Sequence, residues 1–228
     1  MRIRVLIHNV RAFRDGADRL ARIVERFAPD LVLLNETGGR LRLRRFSRRL
    51  DLEVATDPRS PFARRVKNAV LVRPPWRVLR HRLLRFEGSD RLSPRGALVA
   101  SVGRSGFRVW AVSVHLGLRP VERLRHAEQL SDALRGLGGP IVLGGDLNET
   151  PEHAAASFLA ERYWDAWLLG GDVAGETFPS SDPTARIDYL FVSEGVRVDR
   201  VVVPADEEAR LASDHRPLVA ELVLPEPG

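Results

Sequence analysis

The sequence predicts an α/β (α+β) protein in which two mixed β-sheets pack face to face beneath outer helices. Strand-like segments outnumber helical ones and the two kinds do not alternate strictly, which is typical of mixed sheets covered by helices. Several strands are apolar on both faces. In 107-FRVWAVSVH-115, Phe107 and Val109 point one way, and Trp110 and Val112 the other. Such strands need cover on both sides, which two stacked sheets under outer helices provide.

Ten segments have the apolar pattern of β-strands. In chain order they are 2-8, 30-34, 67-73, 76-86, 96-102, 107-115, 140-144, 186-192, 196-203 and 217-223. Helices are predicted at 16-28, at 39-50, at 120-135 and after Thr150, with Pro151 in the first turn of the last helix. In 39-50, Leu43, Phe46 and Leu50 share one face, and the arginines between them are expected to form a solvated face.

The composition indicates one globular domain spanning 1-228, expected to be a monomer. The 228 residues are 44% hydrophobic and 29% charged, which is ordinary for a soluble protein and sufficient for a substantial core. No segment has the length and apolarity of a transmembrane helix, and the N-terminus lacks a signal-peptide pattern. The absence of cysteine excludes disulfides and thiolate metal sites and fits a cytoplasmic location.

The net charge of +6 favours phosphate-bearing partners, among them nucleic acid, nucleotides and anionic lipid. Lys67 is the only lysine, and so lopsided a ratio of arginine to lysine is also produced by a GC-rich genome. The charge alone is therefore weak evidence for any one partner.

Polar residues recur where the predicted strands end or begin. One set follows the ends of four apolar strands: Asn9, Glu36, His115, Asp146 and Asn148. A second set stands at the beginnings of other strands: Asn68, Arg95, Asp188, Asp214 and His215. If the strands of the second set run antiparallel to those of the first, all ten side chains converge on one rim of the sheets.

Each of these residues alone has a simpler explanation. Asn9 and Asn68 could be turn or loop residues, Glu36 a helix-start carboxylate, His115 a hydrogen-bonded buried histidine, and Arg95 a surface residue. Asp188 is harder to explain, because it lies within a very apolar strand and a buried carboxylate needs a partner. His215 is a suitable partner, and the pair would fix the imidazole tautomer and raise its pKa.

The segment 144-GGDLNETP-151 directly follows the apolar run 140-PIVL-143. Turn chemistry alone explains Gly, Asp and Asn at this point. A site for a charged substrate also explains them, because in an extended segment Asp146 and Asn148 point to the same side. The two glycines would then let the chain approach the reacting centre closely.

Together these motifs resemble the endonuclease/exonuclease/phosphatase superfamily, the deoxyribonuclease I-like metal-dependent phosphoesterases. The matching segments are Asn9, 35-NE-36, 113-SVH-115, 145-GDLN-148, 187-IDYLF-191 and 213-SDH-215, in the family order. The resemblance implies a four-layer α-β-β-α sandwich with the site at one end. It also implies hydrolysis of phosphodiester bonds, with a nuclease as the leading expectation. Oxygen ligands and the lack of cysteine favour Mg²⁺ or Mn²⁺ over zinc.

The resemblance also implies roles for individual residues. Glu36 would be the leading metal ligand, and Asp214 would assist directly or through water. Asp146 would position or activate the attacking water beside Asn148, His215 held by Asp188 would contact the phosphate or transfer a proton, and His115 would be the second histidine. Asn9, Asn68 and Arg95 would contact phosphate, and Asn9 could instead orient the metal shell. Which histidine acts as base and which as acid stays open.

One departure from the family pattern bears on the substrate. In the abasic-site endonuclease branch an acidic residue lies two positions after the first asparagine, where this chain has Arg11. This favours one principal metal and argues against abasic-site repair. Phosphatases of small phosphorylated molecules and sphingomyelinase-like phospholipid phosphodiesterases remain alternatives, and a non-catalytic phosphate-binding protein is a remote one. A lipid hydrolase should expose an apolar loop, whereas 163-YWDAW-167 is expected to be core.

Overall fold

A computed structural model describes residues 1–57, 65–90, 92–172 and 175–226. Its strands are β1 (Arg2–Asn9), β2 (Leu31–Asn35), β3 (Glu53–Thr56), β4 (Ala69–Val72), β5 (Arg77–Arg85), β6 (Gly96–Arg104), β7 (Phe107–His115), β8 (Ile141–Asp146), β9 (Trp164–Asp165), β10 (Asp188–Val192), β11 (Arg197–Val202) and β12 (Leu218–Val223). Its α-helices are α1 (Ala17–Phe27), α2 (Arg40–Arg49), α3 (Pro120–Leu134), α4 (Ala154–Ala160), α5 (Ala166–Gly170) and α6 (Glu207–Leu211).

The strands form two six-stranded sheets. Their orders are β11-β12-β1-β2-β4-β3 and β5-β6-β7-β8-β10-β9. Each sheet is mixed, because β1 and β2 pair in parallel, as do β7 and β8, whereas the other neighbours are antiparallel. The prediction of two mixed sheets with helices outside them is therefore confirmed.

Alternation along each strand divides the apolar side chains into three layers. The central layer lies between the sheets and includes Ile7 and Leu33 from one sheet and Leu98 and Val142 from the other. An outer layer joins the first sheet to α1 and α2 through Leu6, Val32, Leu20 and Phe46. The other outer layer joins the second sheet to α3 and α4 through Val112, Leu143, Leu130 and Leu159. Strands that looked apolar on both faces are covered on both faces.

The strand directions place the predicted polar residues on one rim. Asn9 is paired with Asn35 in the first sheet. His115 and Asp188 both lie opposite Asp146 in the second. The strands β4, β6, β10 and β12 run antiparallel to the neighbours that carry the first set. Strand beginnings and strand ends thus share an edge, as the polar pattern predicted.

The short elements were not predicted from the sequence. They are β3, β9, α5, α6 and a 3-10 helix at Arg11–Phe13. The prediction that Pro151 lies in the first turn of its helix was wrong: the N–H of His153 donates to the carbonyl of Thr150 at 3.1 Å, and α4 begins only at Ala154 after this turn. Short elements depend on tertiary partners more than on their own sequence.

The segment 163-YWDAW-167 is only partly core. Tyr163 is buried, but Trp164 is 49% exposed on the edge strand β9, so the expectation of a wholly buried aromatic segment was wrong. A strand at the edge of a sheet has a neighbour on one side only, so its side chains are less fully covered. A pattern of aromatic residues does not reveal that a strand lies at the edge. Within the described ranges no helix is long and apolar enough to cross a membrane.

Candidate active site

The carboxylate of Asp146 is the centre of the rim. It ends β8 and is buried. Its Oδ2 accepts a hydrogen bond from Asn9 Nδ2 at 2.9 Å, and lies 3.3 Å from His115 Nε2 and 3.8 Å from His215 Nε2. Burial opposes ionisation, but the two histidines and the Asn9 amide outweigh it and hold the pKa of Asp146 well below its usual range. Asp146 is therefore an ionised carboxylate between two imidazoles.

The segment after Asp146 is a turn and not an extended strand. Asn148 has a φ of 56°, and its N–H donates to Asp146 Oδ1 at 2.8 Å. Its side-chain Nδ2 donates to the carbonyl of Leu116 at 3.1 Å. The expectation of an extended segment was wrong because the asparagine closes a side-chain-stabilised turn. Asn148 is half-buried beside Asp146, which it helps to hold in place.

The two glycines before Asp146 allow close packing. A Cβ on Gly144 would lie 2.5 Å from Ile7 Cδ1 of the opposite sheet. A Cβ on Gly145, whose φ is +150°, would overlap the carbonyl oxygen of Val114 on the neighbouring strand β7. Glycine is required at Gly145 for both backbone conformation and space. Gly144 thus permits close packing against the opposite sheet, and Gly145 permits the close approach of β8 to β7. In the register of these two strands Asp146 lies opposite His115.

His215 is held by a second buried carboxylate. Its Nδ1 lies 2.8 Å from Asp188 Oδ2, and the same oxygen accepts a hydrogen bond from Thr177 Oγ1 at 2.6 Å. Burial alone would lower the pKa of His215, but Asp188 and Asp146 raise it to about 10. His215 is accordingly a cation at neutral pH. The pairing of Asp188 with His215 matches the prediction, whereas no role was predicted for Thr177.

His8 supports His215 from the other side, a contact that was not predicted. Its Nε2 lies 2.9 Å from the backbone carbonyl of His215, and its side chain is fully buried. Burial lowers the pKa of His8 to about 4, although the hydrogen bond to that carbonyl opposes the shift. His8 is therefore neutral, and when its one ring proton is on Nε2 this nitrogen can donate a hydrogen bond to His215 O. A histidine inside the apolar run 3-IRVLIHNV-10 was the only sequence signal.

Two buried asparagines join the sheets behind Asp146. Asn35 accepts from the backbone N–H of Asp146 at 3.0 Å and donates to the carbonyl of Val114 at 2.8 Å. Asn68 donates through Nδ2 to the carbonyls of Gly96 at 2.9 Å and Ser113 at 2.8 Å. Both donor hydrogens of Asn68 are thus directed at backbone carbonyls, so its side-chain oxygen is what it can offer to a ligand. Asn35 was recognised as part of a motif but not as this brace.

Arg95, His115 and Glu36 form the side of the site next to Asp146. Arg95 Nη1 lies 2.7 Å from His115 Nδ1, and it also contacts Nε2 of the same ring. It is 3.9 Å from Glu36 Oε1. A guanidinium can only donate, so Nδ1 is the acceptor of the two ring nitrogens, since Nε2 faces the carboxylate of Asp146, which can only accept. Glu36 itself is partly exposed and has a φ of 52°, a backbone conformation found where neighbouring structure enforces it.

Arg11 occupies the place of the missing acidic residue and binds Asp214. Its Nε lies 3.2 Å from Asp214 Oδ2, and Ser213 Oγ donates to Asp214 Oδ1 at 3.1 Å. Its backbone N–H donates to Asn9 Oδ1 at 3.1 Å. Both oxygens of Asp214 therefore have protein partners. All ten predicted residues lie close together. Each is joined to the others by hydrogen bonds or ion pairs, or lines the same pocket as they do.

Comparison with known protein families identifies the chain. The model of the Endonuclease/Exonuclease/phosphatase family matches residues 6–215. The protein belongs to this family. It is a phosphoesterase of the endonuclease/exonuclease/phosphatase type, and the buried group of Asp146, Asp188 and His215 could form its active site. A search of curated proteins found no match to the sequence.

Solved structures of other proteins share the fold. An endonuclease/exonuclease/phosphatase protein from Bacteroides vulgatus has 20% identity and a TM-score of 0.85, with 98% of this chain and 99% of that chain covered. A mannosyl-6-phosphatase from Bacteroides thetaiotaomicron has 22% identity and a TM-score of 0.80, with 97% and 100% covered. TDP2 of D. rerio, complexed with a single-strand DNA product, has 18% identity and a TM-score of 0.79, with 97% and 99% covered.

The residues present fit the metal ion that the family implies. Asp146, Asp188 and His215 offer ligand atoms that all lie within 4.8 Å of one another and could hold an ion. In addition, Oδ1 of Asp188 is buried and has no hydrogen-bond partner among the described residues. However, a histidine ligand must be neutral, whereas both carboxylates keep His215 protonated. The carboxylate of Glu36 is the stronger candidate ligand for a hard cation. It is partly exposed, and its ion-pair partner in the described part of the chain, Arg95, lies 3.9 Å away.

Proposed function

We propose that this family member is a phosphodiesterase that depends on Mg²⁺ or Mn²⁺ and acts on nucleic acid. The observation that carries the proposal is the ionised Asp146 between His115 and the cationic His215, at a rim that also contains Arg95 and Glu36. A carboxylate that can orient water beside cations that can face a phosphate is the arrangement that phosphoester hydrolysis requires.

Hydrolysis forms a bond between water oxygen and phosphorus and breaks the bond to the leaving oxygen. Asp146 is placed to accept a hydrogen bond from the attacking water. Its lowered pKa makes Asp146 a weak base. Its main contribution is therefore to orient the water, before the proton of that water is transferred through the carboxylate. Asn9 and Asn35 fix the carboxylate and its backbone, which limits its motion.

Cationic side chains stabilise the phosphate as charge develops on its oxygens. His215 is kept protonated by Asp188 and can donate from Nε2 to a phosphate oxygen or to the leaving oxygen. Arg95 adds a fixed positive charge beside His115. Glu36, with Asp214 as a secondary candidate, would hold the divalent cation. When bound, such an ion supplies electrostatic stabilisation of phosphate oxygens.

The nucleic-acid substrate is supported by charge and by one structural neighbour. The chain carries a net charge of +6, and cations outnumber carboxylates among the described residues that line a pocket beside the rim. A fold neighbour, TDP2 of D. rerio, is complexed with a single-strand DNA product. A phosphatase of small phosphorylated molecules is the second candidate, because this pocket holds only about 130 Å³ and another neighbour is a mannosyl-6-phosphatase.

A phospholipid substrate is less well supported. The exposed Trp164 pairs with Val192, whereas the catalytic Asp188 begins the same strand four residues earlier. Four residues of strand span about 13 Å. This aromatic side chain therefore lies away from the rim and is poorly placed to insert into a bilayer beside the reacting phosphate.

The test is hydrolysis of bis(p-nitrophenyl) phosphate, p-nitrophenyl phosphate and supercoiled plasmid in parallel, with Mg²⁺, Mn²⁺ or EDTA. Metal-dependent cleavage of the diester together with plasmid nicking is expected. Asp146→Ala and His215→Ala should each lower kcat by about two orders of magnitude or more. Matched controls are Asp132→Ala and His81→Ala, which replace exposed residues of the same types.

The outcomes separate the candidate functions. Cleavage of the monoester with intact plasmid would transfer the protein to the phosphatase candidate. Near-normal activity of folded Asp146→Ala or His215→Ala, with circular dichroism matching the parent protein, would overturn the assigned rim. EDTA-resistant hydrolysis would overturn the metal requirement.

A further inference from the structure

The pocket beside the catalytic rim carries an excess of positive charge that hydrolysis of one phosphate does not use. Five of its lining side chains are cationic: Arg11, Arg14, Arg65, Lys67 and Arg95. Glu36 is the single carboxylate among the described residues that line the pocket. His115 also lines it, so the pocket opens directly onto the group around Asp146. A wall with this charge balance is complementary to an anion.

Three of these cations have capacity for a ligand. The side chains of Arg14 and Lys67 are exposed and form no ion pair with any residue of the described ranges. Arg65 Nη2 donates to the carbonyl of Gly38 at 3.0 Å, but its Nη1 is buried and has no hydrogen-bond partner in the described ranges. Burial and the nearby Arg40 both lower the pKa of Arg65. An anion in the pocket would offset the repulsion between these like charges.

The backbone that presents Arg11 and Arg14 is held in a strained conformation. Arg11, Ala12 and Phe13 have φ values of 42°, 58° and 56°. The loop is fixed by the N–H of Ala12, which donates to Glu36 O at 2.6 Å, and by Arg42 Nη1, which donates to Ala12 O at 2.5 Å. Three consecutive non-glycine residues with positive φ persist only where surrounding contacts enforce them, and such strain is concentrated at ligand sites.

We propose that this pocket binds a second phosphate group of the substrate, adjacent to the phosphate that is cleaved. The inference rests on the proposed phosphoesterase function and narrows its preferred substrate to molecules with at least two neighbouring phosphates. Arg14, Arg65 and Lys67 are the specificity-determining residues, because they line the pocket without belonging to the group around Asp146. The second phosphate comes from the next backbone linkage of a nucleic acid or from a phosphomonoester of a small molecule.

Equilibrium binding tests this pocket without requiring turnover. The probes are thymidine 3′,5′-bisphosphate and thymidine 5′-monophosphate, measured by isothermal titration calorimetry with Mg²⁺ and again with EDTA. The double variant Arg14→Ala/Lys67→Ala should weaken bisphosphate binding by about tenfold or more, as expected when two charge-assisted contacts are lost. Monophosphate binding should change by less than about threefold.

The control variant is Arg44→Ala/Arg48→Ala, which removes the same charge from exposed positions on α2 that do not line the pocket. It should preserve the preference for the bisphosphate. The single variants Arg14→Gln and Lys67→Gln give the same comparison with less change to the surface. Equal weakening of both probes, or no weakening of either, would overturn the proposal.

Two further probes distinguish the source of the phosphate. A thymidine tetranucleotide without terminal phosphates offers only backbone phosphates, and 2,3-bisphosphoglycerate offers two phosphomonoesters on adjacent carbons. Loss of tetranucleotide affinity in the double variant assigns the pocket to a nucleic-acid backbone, and loss confined to bisphosphates assigns it to a phosphomonoester. If the binding preference is present but no phosphate ester is hydrolysed, the proposed function fails while the pocket assignment stands.

Discussion

Nδ1 of His215 lies 2.8 Å from Oδ2 of Asp188, and this oxygen also accepts a hydrogen bond from Thr177. The arrangement fixes the imidazole and leaves its Nε2 facing Asp146 at 3.8 Å. Asp188 thus holds His215 in place, and within the described part of the chain its second oxygen, Oδ1, has no hydrogen-bond partner.

Asp188→Asn should retain the shape of the side chain but remove the charge that keeps His215 protonated. We expect kcat/KM on bis(p-nitrophenyl) phosphate to fall by about 100-fold or more. Thr177→Val, which removes one hydrogen bond from the same oxygen, should cause a smaller loss, about tenfold. Steady-state kinetics of the two variants checks this order. Equal activity of Asp188→Asn and the parent protein would show that the pair is only structural.

Glu36→Gln should raise the Mg²⁺ concentration that gives half-maximal activity, because an amide is a poorer ligand for a hard cation than a carboxylate. The expected increase is about tenfold or more. Asp214→Asn should have a smaller effect, since both oxygens of Asp214 already have protein partners. Activity measured across a Mg²⁺ titration gives both values. A larger effect from Asp214 than from Glu36 would reverse the assignment of the principal ligand.

Gly145→Ala should destabilise the fold by about 3 kcal/mol or more, because the new Cβ would overlap the backbone carbonyl of Val114. The matched control is Gly139→Ala, where φ is +90° but no heavy atom lies within 4 Å of the new Cβ. There only the backbone strain remains, about 1 kcal/mol. Urea denaturation of the two variants measures the difference. Similar stabilities would mean that β7 and β8 can separate locally without cost.

The stability of the protein should fall between pH 6.5 and pH 4 because of His8. Its folded-state pKa is lowered to about 4 from an ordinary value of 6.5, so the unfolded chain binds the proton first as the pH falls. The stabilisation is complete above pH 6.5 and is lost progressively towards pH 4, by about 3 kcal/mol in total.

His8→Gln removes this titration and can retain a donor for the carbonyl of His215. Urea denaturation of both proteins at several pH values is the measurement, and the difference between them isolates His8. His126, whose pKa is also lowered by burial, contributes equally to both proteins and cancels. A constant difference in stability across this pH range would contradict the buried neutral histidine.

Much of the fold could be predicted from the sequence because strands that are apolar on both faces must be covered on both faces. The pattern of 107-FRVWAVSVH-115 indicated stacked sheets, and β7 lies between two apolar layers. The convergence of strand ends and beginnings was also predictable, because polar residues recur at those positions. β3 and α6 were missed because such short elements form only against β4 and α1, which are distant in sequence.

The sequence by itself determined the residue types of the site, their order along the chain and the two-sheet architecture, because hydrophobic periodicity and motif order are properties of the chain. Only the tertiary structure decided how the residues interact. Asn35 braces Asp146 from the other sheet, Asn148 closes a turn, and Arg11 pairs with Asp214. These contacts depend on strand register and on the distance between sheets. Strand register and the distance between the sheets are set by the packing of the whole core, so they cannot be predicted from any local pattern in the sequence.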